Sequence, residues 1–147
     1  MQTIGKVVGS AVLAASAVVV PASSALASGT THTIKVISSN TAGKPWRQEP
    51  SFAFTGVDHD YATGVKIGLD MLDCAVNVTT NEAHCDYTLA LRGGLLRGTL
   101  SFSLTGSSGS DAGMITGGTR AFQHVAGGTI KAVPLGHNEL ITIAYHS

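Results

Sequence analysis

Apolar and polar residues alternate with a period of two along most of the chain beyond residue 28, and no stretch there sustains a 3.6-residue apolar period. The clearest run is Leu96, Gly98, Leu100, Phe102 and Leu104, interleaved with Arg97, Thr99, Ser101, Ser103 and Thr105. Each such segment reads as a strand with one oily face. Thr31 to Ser38 is a short β-branched strand. Asn40 to Pro50 carries Gly43, Pro45 and Pro50, reads as a loop, and holds Trp46, the only tryptophan. Ser51 to Val57 resumes as a strand with Phe52 and Phe54 on one face, and Asp58 to Gly64 reads as a polar turn. Gly106 to Gly113 is a Ser/Gly/Asp loop. A last strand with Ile141, Ile143 and Tyr145 in phase follows the turn at Gly136-His137-Asn138. The pattern predicts about eight strands in residues 28–147.

The segment after Gly64 changes phase. Val65, Ile67, Leu69 and Met71 fall on odd positions, whereas Leu72, Cys74, Val76 and Val78 fall on even ones. One inserted residue does this, so a β-bulge is expected at Met71-Leu72. The returning strand keeps one phase through Cys85, Tyr87, Leu89 and Leu91. Pairing Cys74 with Cys85 sets Val76 against Ala83, with a turn around Thr79-Thr80. Through the expected bulge it sets Met71 and Leu72 against Tyr87, Leu69 against Leu89 and Ile67 against Leu91. A disulfide there closes a short loop and is worth about 2–3 kcal/mol. Zinc held by Cys74, His84 and Cys85 is disfavoured, because neighbours on a strand point to opposite faces.

From Met114 to Ile130 the chain reads as strand, tight corner, strand, with Gly117-Gly118 and Gly127-Gly128 at the two ends of the corner. Gly117, Gly118, Thr119, Phe122 and Gly127 match the pattern G-G-T-G-x-[FY]-x-x-A-x-G, and on these residues the chain resembles the allene oxide cyclase barrel family and the related dirigent proteins. Arg120 stands where that family usually has Gly, and Val125 where it usually has Ala; a backbone kept at positive φ there would strain Arg120. The resemblance implies a small β-barrel that holds a reactive apolar intermediate and steers its ring closure or coupling largely by shape, an isomerase-like activity if active. It also implies homo-oligomers, dimers or trimers. Outside the corner no motif carries the family's catalytic residues onto this chain.

Eight antiparallel strands with one apolar face must close into a barrel or split into a sandwich. The expectation is an all-β chain forming a small closed antiparallel barrel with one disulfide, the alternative being a β-sandwich. A closed barrel turns Ile67, Leu69, Leu89, Leu91, Leu96, Leu100, Phe102, Leu104, Ile141 and Ile143 toward its lumen, with Tyr87 and Tyr145 as the inward hydroxyls. Such a lumen is either filled solid or holds one small apolar ligand. Lys66, Asp70, Asp73, Asp86 and Arg92 fall in the opposite phase and read as a solvated exterior. The exception to weigh is Asp70 or Asp73, which a bulge could re-aim toward the lumen, where desolvation suits a carboxyl to proton transfer. The candidate catalytic residues are thus Asp70, Asp73, Tyr87 and Tyr145.

Met1 to Ala27 has one basic residue, a run of Val, Ala and other small residues, and small residues at Ala25 and Ala27. That reads as a secretory signal peptide over 1–27, with one secreted, extracellular barrel domain over 28–147. The apolar core of the leader is too short and too interrupted for a membrane anchor, and it accounts for much of the positive mean hydropathy. Charged residues make up 12% and balance to zero, leaving no basic stripe for nucleic acid. The six histidines are dispersed, and Asp58-His59-Asp60 reads as turn rather than metal trio, so no metal and no cofactor is expected. G-x-S-x-G and the phosphate-loop ending are absent. Asn77-Val78-Thr79 is a glycosylation acceptor sequence. Three functions stay open: a cyclase-like barrel, a secreted carrier of a small apolar molecule, and a filled barrel acting through its exterior.

Overall fold

In the computed structural model, residues 29–43, 50–105 and 111–147 are described. The leader read at 1–27, Trp46 and the Ser/Gly stretch 106–110 lie outside them. Eight strands follow one another: β1 Thr31–Gly43, β2 Ser51–Asp60, β3 Lys66–Asn77, β4 Glu82–Leu91, β5 Gly94–Ser103, β6 Asp111–Gly118, β7 Gly127–Leu135 and β8 Asn138–His146. Each pairs antiparallel with the next, and β8 pairs back with β1, so the sheet closes into a barrel rather than a sandwich. Closure pairs the backbone of every strand on both sides, leaving no open edge.

The lumen face follows the period of two. Along β5, Leu96 and Leu100 are buried, Phe102 is half-buried, and Arg97, Thr99 and Ser101 are exposed. Val36, Leu89, Ile115, Ile130, Ile141 and Ile143 complete the core from the other strands. Three strands extend beyond the segments expected from apolar pattern alone. β1 runs through Ser38, Ser39 and Asn40 to Gly43, β2 reaches Asp60, and β6 begins at Asp111. Ladder hydrogen bonds satisfy backbone groups whatever the side chains are, so polar residues continue a strand that has a partner.

Cys74 and Cys85 stand directly opposite on β3 and β4 and are joined by a disulfide; Val76 faces Ala83, as the pattern predicts. The bulge, however, is not at Met71-Leu72. β3 and β4 pair without a break from Gly68↔Leu91 through Asp70↔Leu89 to Leu72↔Tyr87. The extra residue is Ile67, where the β2–β3 register shifts between Asp58↔Gly68 and His59↔Lys66. Moving the bulge four residues upstream reverses the faces between the two sites. Leu69 (50% exposed) and Met71 (47% exposed) lie on the exterior, and Asp70 (7% exposed) lies inside. Their side chains alternate with the pleat, so the oily odd-numbered run marked the wrong face.

The β6–β7 corner is a fixed joint, and its 3-10 turn, Arg120–Phe122, docks on the start of β5. Thr119 N–H donates to the Leu95 carbonyl at 2.9 Å, the Leu95 N–H donates to Thr119 Oγ1 at 3.1 Å, and the Ala121 N–H donates to the Gly93 carbonyl at 3.1 Å. Gly118 is required there because a Cβ would stand against the Phe122 backbone carbonyl and the Leu95 carbonyl. Arg120 keeps a φ of 55°, in the left-handed region that favours glycine.

Candidate functional site

The lumen is not uniformly apolar. On β2 the alternation that begins with Phe52 and Phe54 runs on through Gly56 to Asp58, so the last residue of that inward row is a carboxylic acid with no exposed surface. Beside it on β1, Ser38 is directly opposite Asp58 on one flank and Glu139 of β8 on the other. Asp70 of β3 is opposite Gly56. The Tyr87 ring rises from β4 opposite Leu72 and is 2% exposed. Three acids, a serine and a tyrosine therefore share one interior region, built by β1, β2, β3, β4 and β8.

Their environment is poor in partners. Among the described residues, neither carboxyl oxygen of Asp58 nor the Ser38 and Tyr87 hydroxyls has a hydrogen-bond partner. Burial without a partner disfavours the charged form. Burial first, and then the charge of Asp70, push Asp58 up to about 7. Burial also raises Asp70, although the nearby Ser38 hydroxyl and backbone amides favour its ionised form. Ser38 is close enough to act on Asp70 without the alignment of a full hydrogen bond. Glu139 is raised by burial, then by Asp111 and Asp70. Tyr87 is pushed well above its ordinary range by burial and by Asp70, Asp58 and Glu139, so it remains a hydroxyl donor.

Above this cluster a cavity of about 210 Å³ is lined by Phe52, Phe54, Leu72, Leu100 and Phe102 and by the acids Asp70, Asp111 and Glu139. It lies toward the barrel end where the β1–β2 and β5–β6 connections depart. Asp111 opens β6 and is itself raised by burial. A cavity that sets carboxyls raised by burial beside aromatic rings can donate a proton to a bound molecule or take one from it. Among the described residues no three His, Cys, Asp or Glu side chains converge on a point as a metal ion requires.

The expected site residues divide. Asp70 and Tyr87 come together in the lumen, Asp70 against its expected exterior face. Leu89, Leu100 and Ile143 are buried, and Phe102 is half-buried at the cavity. Ile67 is half-buried at the bulge, and Leu69 faces outward and lines nothing inside. Asp73 is exposed, directly opposite Asp86 on the exterior, because it is one residue out of phase with Cys74. Tyr145 lies at the other end of the barrel, stacked on His32 at 5.1 Å and edge-on to Phe122 at 5.9 Å, away from the acids.

Asp58, Glu139, Asp111 and Ser38 were not among the candidates. For Asp58 and Glu139 the signal is in the sequence: Phe52-x-Phe54-x-Gly56-x-Asp58 and Glu139-x-Ile141-x-Ile143 each put an acid in the phase of buried apolar residues. Reading Asp58 as the start of a turn cut the first series short.

No protein-family model matches the chain. No curated protein matches it by sequence. Among solved structures it is similar to pyocyanin demethylase, with a TM-score of 0.56 and 18% identity over 78% of this chain and 98% of that one. At that identity the likeness shows a shared barrel fold.

Proposed function

We propose that this barrel takes a small, mainly apolar molecule into its lumen and exchanges a proton with it at the Asp70 and Glu139 carboxyls. The observation that carries this reading is that two acids raised by burial line the same cavity as three phenylalanines. A protein needing only a stable core has no use for desolvated acids, which cost stability unless something compensates them. The shape of the cavity restrains the guest, and a nearby proton donor or acceptor acts on it. The name of the structural neighbour makes that protein an enzyme acting on a small molecule, which supports the same class of activity here. The corner resembling the cyclase and dirigent barrels supports the finer reading, in which the guest's ring closure or coupling is steered. Secretion is part of this reading: the leader composition proposes export, and the Cys74–Cys85 disulfide suits an oxidising compartment.

The test is thermal unfolding in the presence of a panel of one- to three-ring compounds that includes neutral, basic and acidic members. A binder present at a hundred times its Kd stabilises the fold by about 2.7 kcal/mol. At least one compound is expected to raise the melting temperature, and the shift is expected to shrink when Phe102→Ala opens the cavity wall. No shift from any compound refutes a ligand-holding lumen. If a compound binds, product analysis with Asp70→Asn and Glu139→Gln separates turnover from carriage: loss of product with binding retained supports proton exchange, and no product from wild type leaves a carrier.

A further inference from the structure

We infer that the guest of this lumen carries a basic nitrogen, and that it is held as an aromatic or alicyclic ammonium against Asp70 and Glu139. This rests on the reading that the lumen binds a small molecule and adds the chemical class of that molecule. The charge distribution around the cavity is one-sided. Asp70, Asp111 and Glu139 line it, and Asp58 lies beneath them. All six described lysines and arginines, Lys35, Lys66, Arg92, Arg97, Arg120 and Lys131, are exposed. None of these supplies a cation to the interior, so a bound cation would be the partner the acids lack.

A second, independent observation points the same way. Among the described residues the Tyr87 hydroxyl, buried near Asp58, Asp70 and Glu139, has no hydrogen-bond partner, and neither have the two oxygens of Asp58. These groups can receive hydrogen bonds or relay them, and no other described residue bonds to them. An ammonium supplies two or three N–H donors and a positive charge. Phe52, Phe54 and Phe102 add aromatic faces and edges around it. The ring quadrupole favours a cation over a neutral group of the same shape.

The proton balance is closed within the site. Where the Asp70 or Glu139 carboxyl holds its proton, a neutral amine entering the cavity takes it; the O–H bond breaks, the N–H bond forms, and the pair remains as ammonium and carboxylate. A guest already protonated in solution displaces that carboxyl proton to water instead. Either way the ion pair is formed in a desolvated site with short charge-assisted hydrogen bonds.

The experiment is calorimetric titration of the intact protein at pH 7 with three probes of one shape: naphthylmethylamine, naphthalenemethanol and naphthoate. The amine is expected to bind at least about tenfold tighter than the alcohol, with naphthoate the weakest. In Asp70→Asn and in Glu139→Gln the preference for the amine over the alcohol should fall below about threefold while the alcohol still binds. The wild-type ranking decides the matter even if either variant folds poorly. Equal binding of amine and alcohol, or a preference for naphthoate, overturns the cationic class while leaving the lumen as a binding site. Failure of all three to bind also overturns it, whatever the thermal-unfolding panel shows.

Discussion

Asp70 on β3 faces Gly56 on β2 directly across the ladder, and the place where a Gly56 side chain would begin is occupied by the Asp70 carboxyl and the Ser38 hydroxyl. The glycine therefore makes room for the acid. A buried carboxyl in a closed barrel needs such a gap, because every inward position on a neighbouring strand normally carries a side chain that fills it. Gly56→Ala is expected to destabilise the fold by about 1–3 kcal/mol, as overpacking does. Repeating it in an Asp70→Ala background should recover at least about 0.5 kcal/mol of that cost, the coupling expected of residues in contact. Denaturant midpoints of the four proteins give the cycle. Additive costs would mean that the two residues do not share the space.

The interior acids set how stability depends on pH. Asp58 is pushed from its ordinary 3.8 up to about 7 in the folded barrel. Between those values the folded state holds a proton that the unfolded state has lost, so stability is greatest below about 4 and declines as pH rises toward 7, levelling beyond it. Asp70, Glu139 and Asp111 are also raised and act in the same direction. Asp60, lowered by its hydrogen bonds with Thr63, opposes them only as pH falls below 3.8. Urea midpoints measured from pH 4 to 8 should fall with pH in the wild type and flatten substantially in Asp58→Asn. A wild-type profile as flat as that of the variant counts against Asp58 as a buried acid.

Most of the architecture was legible because it depends on periodicity. The β5 alternation, the single phase of β4 and the Cys74–Cys85 pairing survive in the structure because an oily face and a covalent link each tolerate one register. What failed was the position of one inserted residue. Sequence shows that a phase changes but not which residue is extra, and Ile67 in place of Met71-Leu72 sends Leu69 out and Asp70 in. The acidic half of the site was lost for a related reason. Polarity suggests the exterior, whereas Asp58 and Glu139 sit in inward phase and keep that direction regardless of charge, since the pleat and not the side chain sets it.

The Tyr87 hydroxyl offers a separate test of whether the cluster serves the fold or a guest. It is buried with no partner among the described residues, and such a group costs about 1–3 kcal/mol relative to one that is bonded. Tyr87→Phe keeps the buried ring opposite Leu72 and removes only the oxygen. Thermal unfolding of the variant alone should show unchanged or raised stability, while its affinity for the tightest lumen binder should drop several-fold. A fall in stability of more than about 1 kcal/mol would instead assign the hydroxyl a structural bond to the acids.

Arg120 presents the opposite case, strain at a position with an exposed side chain. Its φ of 55° brings its Cβ toward a carbonyl oxygen, a conformation costing an L-residue roughly 1–2 kcal/mol that glycine does not incur. The corner holds it there through Thr119 on Leu95 and Ala121 on Gly93, so the strain is not relieved by relaxation of the turn. Arg120→Gly is expected to raise stability by about 0.5–1 kcal/mol, since the greater freedom of glycine in the unfolded chain offsets part of the gain. Arg120→Ala keeps the Cβ and should leave stability nearly unchanged. Calorimetric melting of the three proteins separates the causes. If alanine and glycine shift the transition equally, the effect belongs to the lost guanidinium, and the backbone at the corner is not strained.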